Sequence, residues 1–314
     1  MGRKPPRRLP SPGSRHRGAA GEPDLPSLLE LERFNGTSLH QWLLAKKALD
    51  GLHRSLYFEL EPRRQLDEGR LLDALRSQAL STYSFEDWSR IVDYRYALEP
   101  LSVAGSLNGD GGRFNVGGGL SPGAFTPFPA LYVAEDYGTA FRERFGLSSD
   151  SKQGSLSTEE LALRRPGSFV QVRLRGALEQ VIDVGDLEAL KPFTDVLKQY
   201  PLPKSVNQNA RRLGVRPAWL IRSPITLQRQ LMHVNWRMLP VQFDLPANSQ
   251  IFGRLAAAAG LHGILYPSAR QKGKRCLALF PQNWRSSASF IEVSDPQPNV
   301  ARLVRLDGGT PAYI

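Results

Sequence analysis

The stretch from Gly105 to Glu143, GSLNGDGGRFNVGGGLSPGAFTPFPALYVAEDYGTAFRE, constrains the fold more than any other part of the chain. Its glycines admit backbone conformations closed to other residues and let a ligand approach the main chain closely. The loop presents Arg113 and Asn115. An arginine held this way suits phosphate oxygens, because its planar fork matches them and keeps its charge. The apolar run Ala130 to Ala134 then reads as a strand, and Asp136 to Phe145 as a helix carrying Glu143. Loop, strand and helix can therefore face one pocket.

Two common nucleotide sites do not fit this stretch. It contains no GxxxxGK[ST], which excludes a triphosphate P-loop, and no GxGxxG follows a strand, which argues against a Rossmann site. The segment VGGGLSPGAFTPFPAL after Asn115 reads either as a lid or as a surface connector.

Upstream, Leu39, Trp42, Leu43, Leu49 and Leu52 share one helical face from Ser38 to about Leu56. A second helix is expected from Asp67 to about Leu80, burying Leu71, Leu72, Leu75 and Ala79. Ser84 and Asp87 have capping-box-like spacing, which predicts a third helical turn. Val92 to Ala97 reads as the first strand, ended by Pro100. Downstream, strands are expected at Ser168–Leu174, Glu179–Val184, Gly263–Tyr266, Arg275–Phe280, Ser289–Val293 and Arg302–Leu306. Helices are expected at Leu187–Gln199, Val206–Leu213, Leu227–Leu239 and Gln250–Ala259. The fold class is therefore α+β, with a small mixed sheet. Residues 1–24 read as a disordered basic tail, 25–90 as a helical N-terminal extension, and 91–314 as the catalytic domain with an insertion around 185–247.

The residues quoted above resemble the RES family, named for its arginine, glutamate and serine. The likeness lies in GGRFN at 111–115, FPALYVAED at 128–136, TAFRE at 139–143 and GILYPSAR at 263–270. It implies a sheet core like that of ADP-ribosyltransferases and an enzyme that degrades NAD by phosphorolysis or hydrolysis. It further implies a possible toxin whose antitoxin is a separate protein. In this sequence the implied catalytic residues are Glu143, Arg95 and Ser268. The implied substrate-binding residues are Arg95, Tyr96, Arg113, Tyr132 and Arg270. Arg95 has the adjacent tyrosine of the family's opening pair and precedes Arg113 by 18 residues; Arg90 competes for the same role. The loop after Asn115, the long span between Glu143 and Ser268, and the N-terminal extension all enlarge this chain beyond a minimal member.

The chemistry behind these assignments is specific. Cleaving the nicotinamide–ribose bond releases a neutral leaving group and builds positive charge on the sugar. A carboxylate beside the ribose stabilises that charge, the role given to Glu143. Arginines grip the two phosphates, and the Tyr132 ring offers a stacking face beside Ala130 and Ala134. Ser268 hydrogen-bonds ribose or orients Glu143. NAD is then the substrate, with water or inorganic phosphate as acceptor, and no separate cofactor or metal is expected. Lone His233, beside Met232 and Trp236, lacks the paired spacing that a metal needs.

Charge and cysteine content narrow the alternatives. Six basic residues precede the first acid, Glu22, so the rest of the chain carries only +5 of the +11 net charge. The charge distribution thus argues against nucleic acid as a partner of the folded part, although a non-catalytic binder acting through the tail stays open. ADP-ribosyl transfer to a macromolecule is the other alternative. One cysteine, Cys276, excludes an internal disulfide framework, and no apolar run approaches the roughly 18 residues of a membrane span. A cytoplasmic enzyme is the expectation. Pro5, Pro6, Pro10 and Pro12 oppose the amphipathic helix of a transit peptide.

Overall fold

The computed structural model describes residues 36–120, 125–146, 169–212, 214, 220–237 and 244–310. The expected basic tail lies outside the described residues, as does part of the glycine-rich segment after Leu120. The chain divides into two compact units, Met1–Lys47 and Ala48–Ile314. The sheet and every side chain discussed below belong to the second.

The first helix, α1 (Gly36–Leu66), runs well past the expected end at Leu56. In its second half, Leu52 packs with Val206 and Ala210 of α5 (Lys204–Arg212). After it, α2 (Glu68–Arg76) buries Leu71, Ala74 and Leu75, the three- and four-residue spacing that places side chains on one helical face.

The helical turn expected at Ser84–Asp87 is absent: these residues belong to β1 (Tyr83–Asp93), so residues 83–90 lie in the sheet rather than in a helical extension. Asp87 has φ 56°, and the register against β5 (Phe169–Leu178) shifts between Phe85 and Trp88. This bulge turns Phe85 and Trp88 into the same hydrophobic core, where simple alternation would oppose them. The first strand also stops earlier than expected. Tyr94–Tyr96 forms a 3₁₀ turn, which takes Arg95 and Tyr96 out of the sheet.

The main sheet has the order β10-β9-β5-β1-β4-β8-β7-β6. Its remaining strands are β4 (Leu131–Ala134), β6 (Val181–Asp183), β7 (Gly263–Pro267), β8 (Arg275–Leu279), β9 (Phe290–Val293) and β10 (Arg305–Asp307). Only the β6–β7 pair is parallel, and the other pairs are antiparallel. The α+β class and mixed sheet expected from the sequence are therefore present. Between β6 and β7 the chain forms α4 (Lys191–Leu197), α5, α6 (Pro224–Leu231) and α7 (Asn248–Ala258), as a crossover to a parallel neighbour requires.

Alternation along β4, β7 and β8 sorts the side chains onto two faces. Leu131, Val133, Leu265, Leu277 and Leu279 join Trp284 in one core. Ala134, Tyr266, Cys276 and Ala278 face the other, which α4, α6 and α7 fill with Phe193, Leu227, Leu231, Phe252 and Leu255. Cys276 pairs with Ala134 on one side and Tyr266 on the other, so these three form a row across the sheet. The next row on that face brings Tyr132 and Ile264 beside Ala278. The glycine-rich loop lies over this face as a small hairpin of β2 (Gly111–Gly112) and β3 (Asn115–Val116).

Candidate active site

The helix α3 (Tyr137–Phe145) positions Glu143. Asp136 caps its start by accepting the Thr139 N–H at 2.7 Å, and Gly146 ends it at φ 70°, a left-handed conformation that favours glycine. Burial raises the Asp136 carboxyl, but the Thr139 N–H and Lys274 outweigh it and hold the group below its ordinary value. Lys274 Nζ reaches Asp136 Oδ2 at 3.0 Å, while Arg275 N donates to Glu135 Oε2 at 2.9 Å. The chain following Ser268 is thereby tied to the start of the helix that carries Glu143.

At the other end of that helix the same turn grips the carboxylate. Ser268 Oγ donates to Glu143 Oε1 at 2.6 Å, Ala269 N at 2.8 Å and Arg270 N at 3.2 Å. All three bonds converge on Oε1. Ser268 Oγ in turn accepts from Arg270 N at 3.1 Å and Gln271 N at 3.0 Å, so its own direction is fixed by the turn. Three donors aimed at one oxygen hold the carboxylate in a fixed orientation. Beside Tyr266 on the sheet, burial pushes the Cys276 thiol well above its ordinary value. The buried Tyr266 hydroxyl is pushed up by burial and by the neighbouring Cys276, Glu143 and Tyr132, with Arg113 opposing them. Glu143, Ser268, Tyr266 and Tyr132 thus share one neighbourhood with Arg113.

The loop is joined to this neighbourhood through Tyr132. Its hydroxyl donates to Asn115 Oδ1 at 2.8 Å and accepts from Phe114 N at 2.9 Å, leaving the ring to line the site. Burial is the main reason its pKa is raised. A Cβ on Gly112 would collide with the Tyr132 hydroxyl and ring, which is why glycine is needed there. Asn115 also accepts from Gly112 N at 2.9 Å and donates to Ser106 O and Phe128 O. Phe114 packs edge-on against Tyr266 at 4.9 Å between centroids.

The loop has a second anchor that sequence reasoning missed. Gln250 on α7 is fully buried, and its Nε2 donates to Asp110 O at 2.7 Å, Asn115 O at 3.1 Å and Gly112 O at 3.3 Å. Its Oε1 accepts from Ala247 N at 2.9 Å. Three residues on, a Cβ at Gly253 would overlap Phe114 O, so the helix and loop meet backbone to backbone. No motif flags Gln250; it stands between a cap position and an alanine run.

The sequence-predicted residues divide by placement. Arg113 is only 6% exposed, and its Nη1 donates to Leu231 O at 3.0 Å and His233 O at 2.9 Å. Those bonds end α6 at Leu231, where the sequence predicts helix through Leu239; residues 238 and 239 lie outside the described residues. Arg270 Nη2 lies 3.5 Å from Val234 O, on the turn that follows α6. Arg95 is placed differently. Its side chain is 72% exposed, 3.7 Å from Asp93 and stacked on Tyr96 at 4.8 Å. The structure does not tie it to Glu143, Ser268 or Tyr132, because the strand that would have carried it inward ends at Asp93. Its competitor Arg90 reaches inward to Tyr132 O at 3.3 Å and Ser102 O at 3.0 Å. Burial, with Arg144 nearby, lowers its pKa to about 10.

His233 is exposed, and its Nδ1 accepts from Asn235 N at 3.2 Å. Among the described residues no group of three or more His, Cys, Asp or Glu is placed to hold a metal ion. Nor is any described helix long and apolar enough to cross a membrane.

The α+β fold thus fixes a helix carboxylate against a serine turn beside a glycine-rich loop. The RES domain model matches residues 87–300, which is most of the chain, and the protein belongs to that family. No curated protein matches it. Among solved structures it is similar to the M. tuberculosis MbcT-MbcA toxin-antitoxin complex, at 15% identity and a TM-score of 0.37 over 76% of this chain and 91% of that one.

Proposed function

We propose that this protein consumes NAD by breaking its nicotinamide–ribose bond, with Glu143 as the catalytic carboxylate. The observation that supports this reading most is the convergence of Ser268 Oγ and two backbone N–H groups on Glu143 Oε1. A carboxylate held that way keeps its direction while positive charge grows on the ribose, so no reorientation is needed during bond breaking. Oε2 carries none of those three bonds and is the oxygen assigned to the ribose. The Tyr132 ring takes a stacking role, since its hydroxyl is already committed to Asn115 and Phe114. Arg270, at the end of the turn, supplies positive charge toward the phosphates. Arg95 and Tyr96 keep no role in this reading.

The acceptor is read from the product. Purified protein is incubated with NAD, with and without inorganic phosphate, and nicotinamide and the ribosyl product are quantified. ADP-ribose identifies hydrolysis, and ADP-ribose 1″-phosphate formed only with phosphate identifies phosphorolysis. Label transferred from NAD to a macromolecule assigns ADP-ribosyl transfer instead, and no nicotinamide at all rejects the reading. The same reading makes the chain a toxin with a separate antitoxin as partner. Its expression should then arrest growth, and the Glu143→Gln variant should not.

A further inference from the structure

The turn after α6 carries a cation that the sequence motifs do not include. Arg237 is exposed, yet it is not a free surface arginine: its Nη2 donates to Gly111 O at 3.1 Å and its guanidinium stacks on Trp236 at 4.4 Å. Its charge acts on the Tyr132 hydroxyl together with that of Arg113. Partial burial lowers its pKa; Asp110 and Tyr132 act on it from one side, and the Arg113 and Arg144 cations from the other. The guanidinium therefore stands against the glycine-rich loop at Gly111, the residue before the Gly112 that packs on Tyr132.

Arg113 lies behind this arrangement. It is buried, its Nη1 is spent on the carbonyls of Leu231 and His233, and its guanidinium lies 6.0 Å from the centroid of the Trp236 ring. Both carbonyls belong to the segment that leads into Trp236 and Arg237. Arg270 reaches that segment too, at Val234 O. Truncating Arg113 would thus release the turn that carries Arg237.

We infer that Arg237, stacked on Trp236 and bonded to the glycine-rich loop at Gly111, is a further arginine that takes a phosphate oxygen of the dinucleotide, and that Arg113 is a positioning residue acting through it. This rests on the NAD reading above. The class of group recognised is a pyrophosphate, for which a planar fork beside exposed backbone is well suited. Trp236 keeps the guanidinium flat and limits the directions in which it can donate.

The test compares wild type with Arg237→Gln and Arg237→Lys, measuring nicotinamide release from NAD and, separately, ADP binding by calorimetry. Arg237→Gln should raise KM for NAD and weaken ADP binding by at least tenfold, with kcat within threefold and an unchanged unfolding temperature. Arg237→Lys should recover part of the binding as a point charge. The salt dependence of ADP binding should flatten in Arg237→Gln. A KM and an ADP affinity both within twofold of wild type would overturn the inference while leaving the NAD reading intact. If wild type releases no nicotinamide, the NAD reading fails alone, and the ADP affinities still decide whether Arg237 holds phosphate.

Discussion

Replacing Gln250 by leucine probes how the glycine-rich loop is held. The substitution is similar in volume and keeps α7 helical, but it removes the donor shared by Asp110 O, Gly112 O and Asn115 O and the acceptor of Ala247 N–H. Asp110 O retains a bond from Gly117 N at 3.2 Å. The Ala247 N–H loses its acceptor outright, while the Gly112 and Asn115 carbonyls, residues paired across β2–β3, lose a second donor at about half that cost. A buried polar group left without its partner costs about 1–3 kcal/mol, so the sum is about 4 kcal/mol. Against a domain stability of about 5–15 kcal/mol this is a large fraction. It corresponds to a fall of roughly 8–16 °C in Tm for a domain of this size. Thermal unfolding followed by tryptophan fluorescence reads this directly, because Trp236 lies beside the loop. A fall of less than about 3 °C in Gln250→Leu would refute the view that this one amide anchors the loop to α7.

Other substitutions test separate parts of the account. Gly112→Ala forces a Cβ into the Tyr132 ring, so the hairpin must shift, and a clear drop in both Tm and nicotinamide release is expected; an unchanged Tm contradicts the contact. Ser268→Ala removes the 2.6 Å donor to Glu143 and the acceptor of two backbone N–H groups. A charge-assisted bond of about 1.5–3 kcal/mol predicts a kcat loss of roughly 10- to 100-fold with little change in KM, and a kcat within twofold removes Ser268 from the mechanism. His262 is buried with Nδ1 2.7 Å from Ser289 Oγ, and burial lowers its pKa despite the opposing Glu179 charge. A depressed folded pKa means that stability is present above the unfolded value of about 6.5 and lost as pH falls through the folded value. The wild-type Tm should therefore drop on going from about pH 7 to 5, and His262→Gln should flatten that drop. An equal slope in both proteins would show that His262 is not its source.

What was legible in the sequence was mainly local. The strand at Leu131–Ala134, the helix at Tyr137–Phe145 and the strand–turn at Gly263–Arg270 are each set by a short apolar run with a cap or turn residue beside it. The misread elements depend on partners far away in the chain. The expected helix past Leu231 fails because Arg113, over a hundred residues earlier, captures the Leu231 and His233 carbonyls. Ser84 and Asp87 satisfy a capping pattern, but nine pairings with β5 and a bulge at Asp87 decide for strand. The same dependence hid Gln250 and Arg237. Each acts on the backbone of the loop at 110–115, and neither has a local pattern that announces it.

The central claim is that Glu143, fixed by the Ser268–Arg270 turn, is the charge that permits NAD cleavage. Steady-state nicotinamide release by full-length wild type and by Glu143→Gln, with equal circular dichroism spectra, tests it most directly. The account predicts release by wild type and a fall of at least about 100-fold in kcat for the variant, the scale of removing one preorganised stabilising group. A variant that turns over NAD within a few-fold of wild type would contradict it.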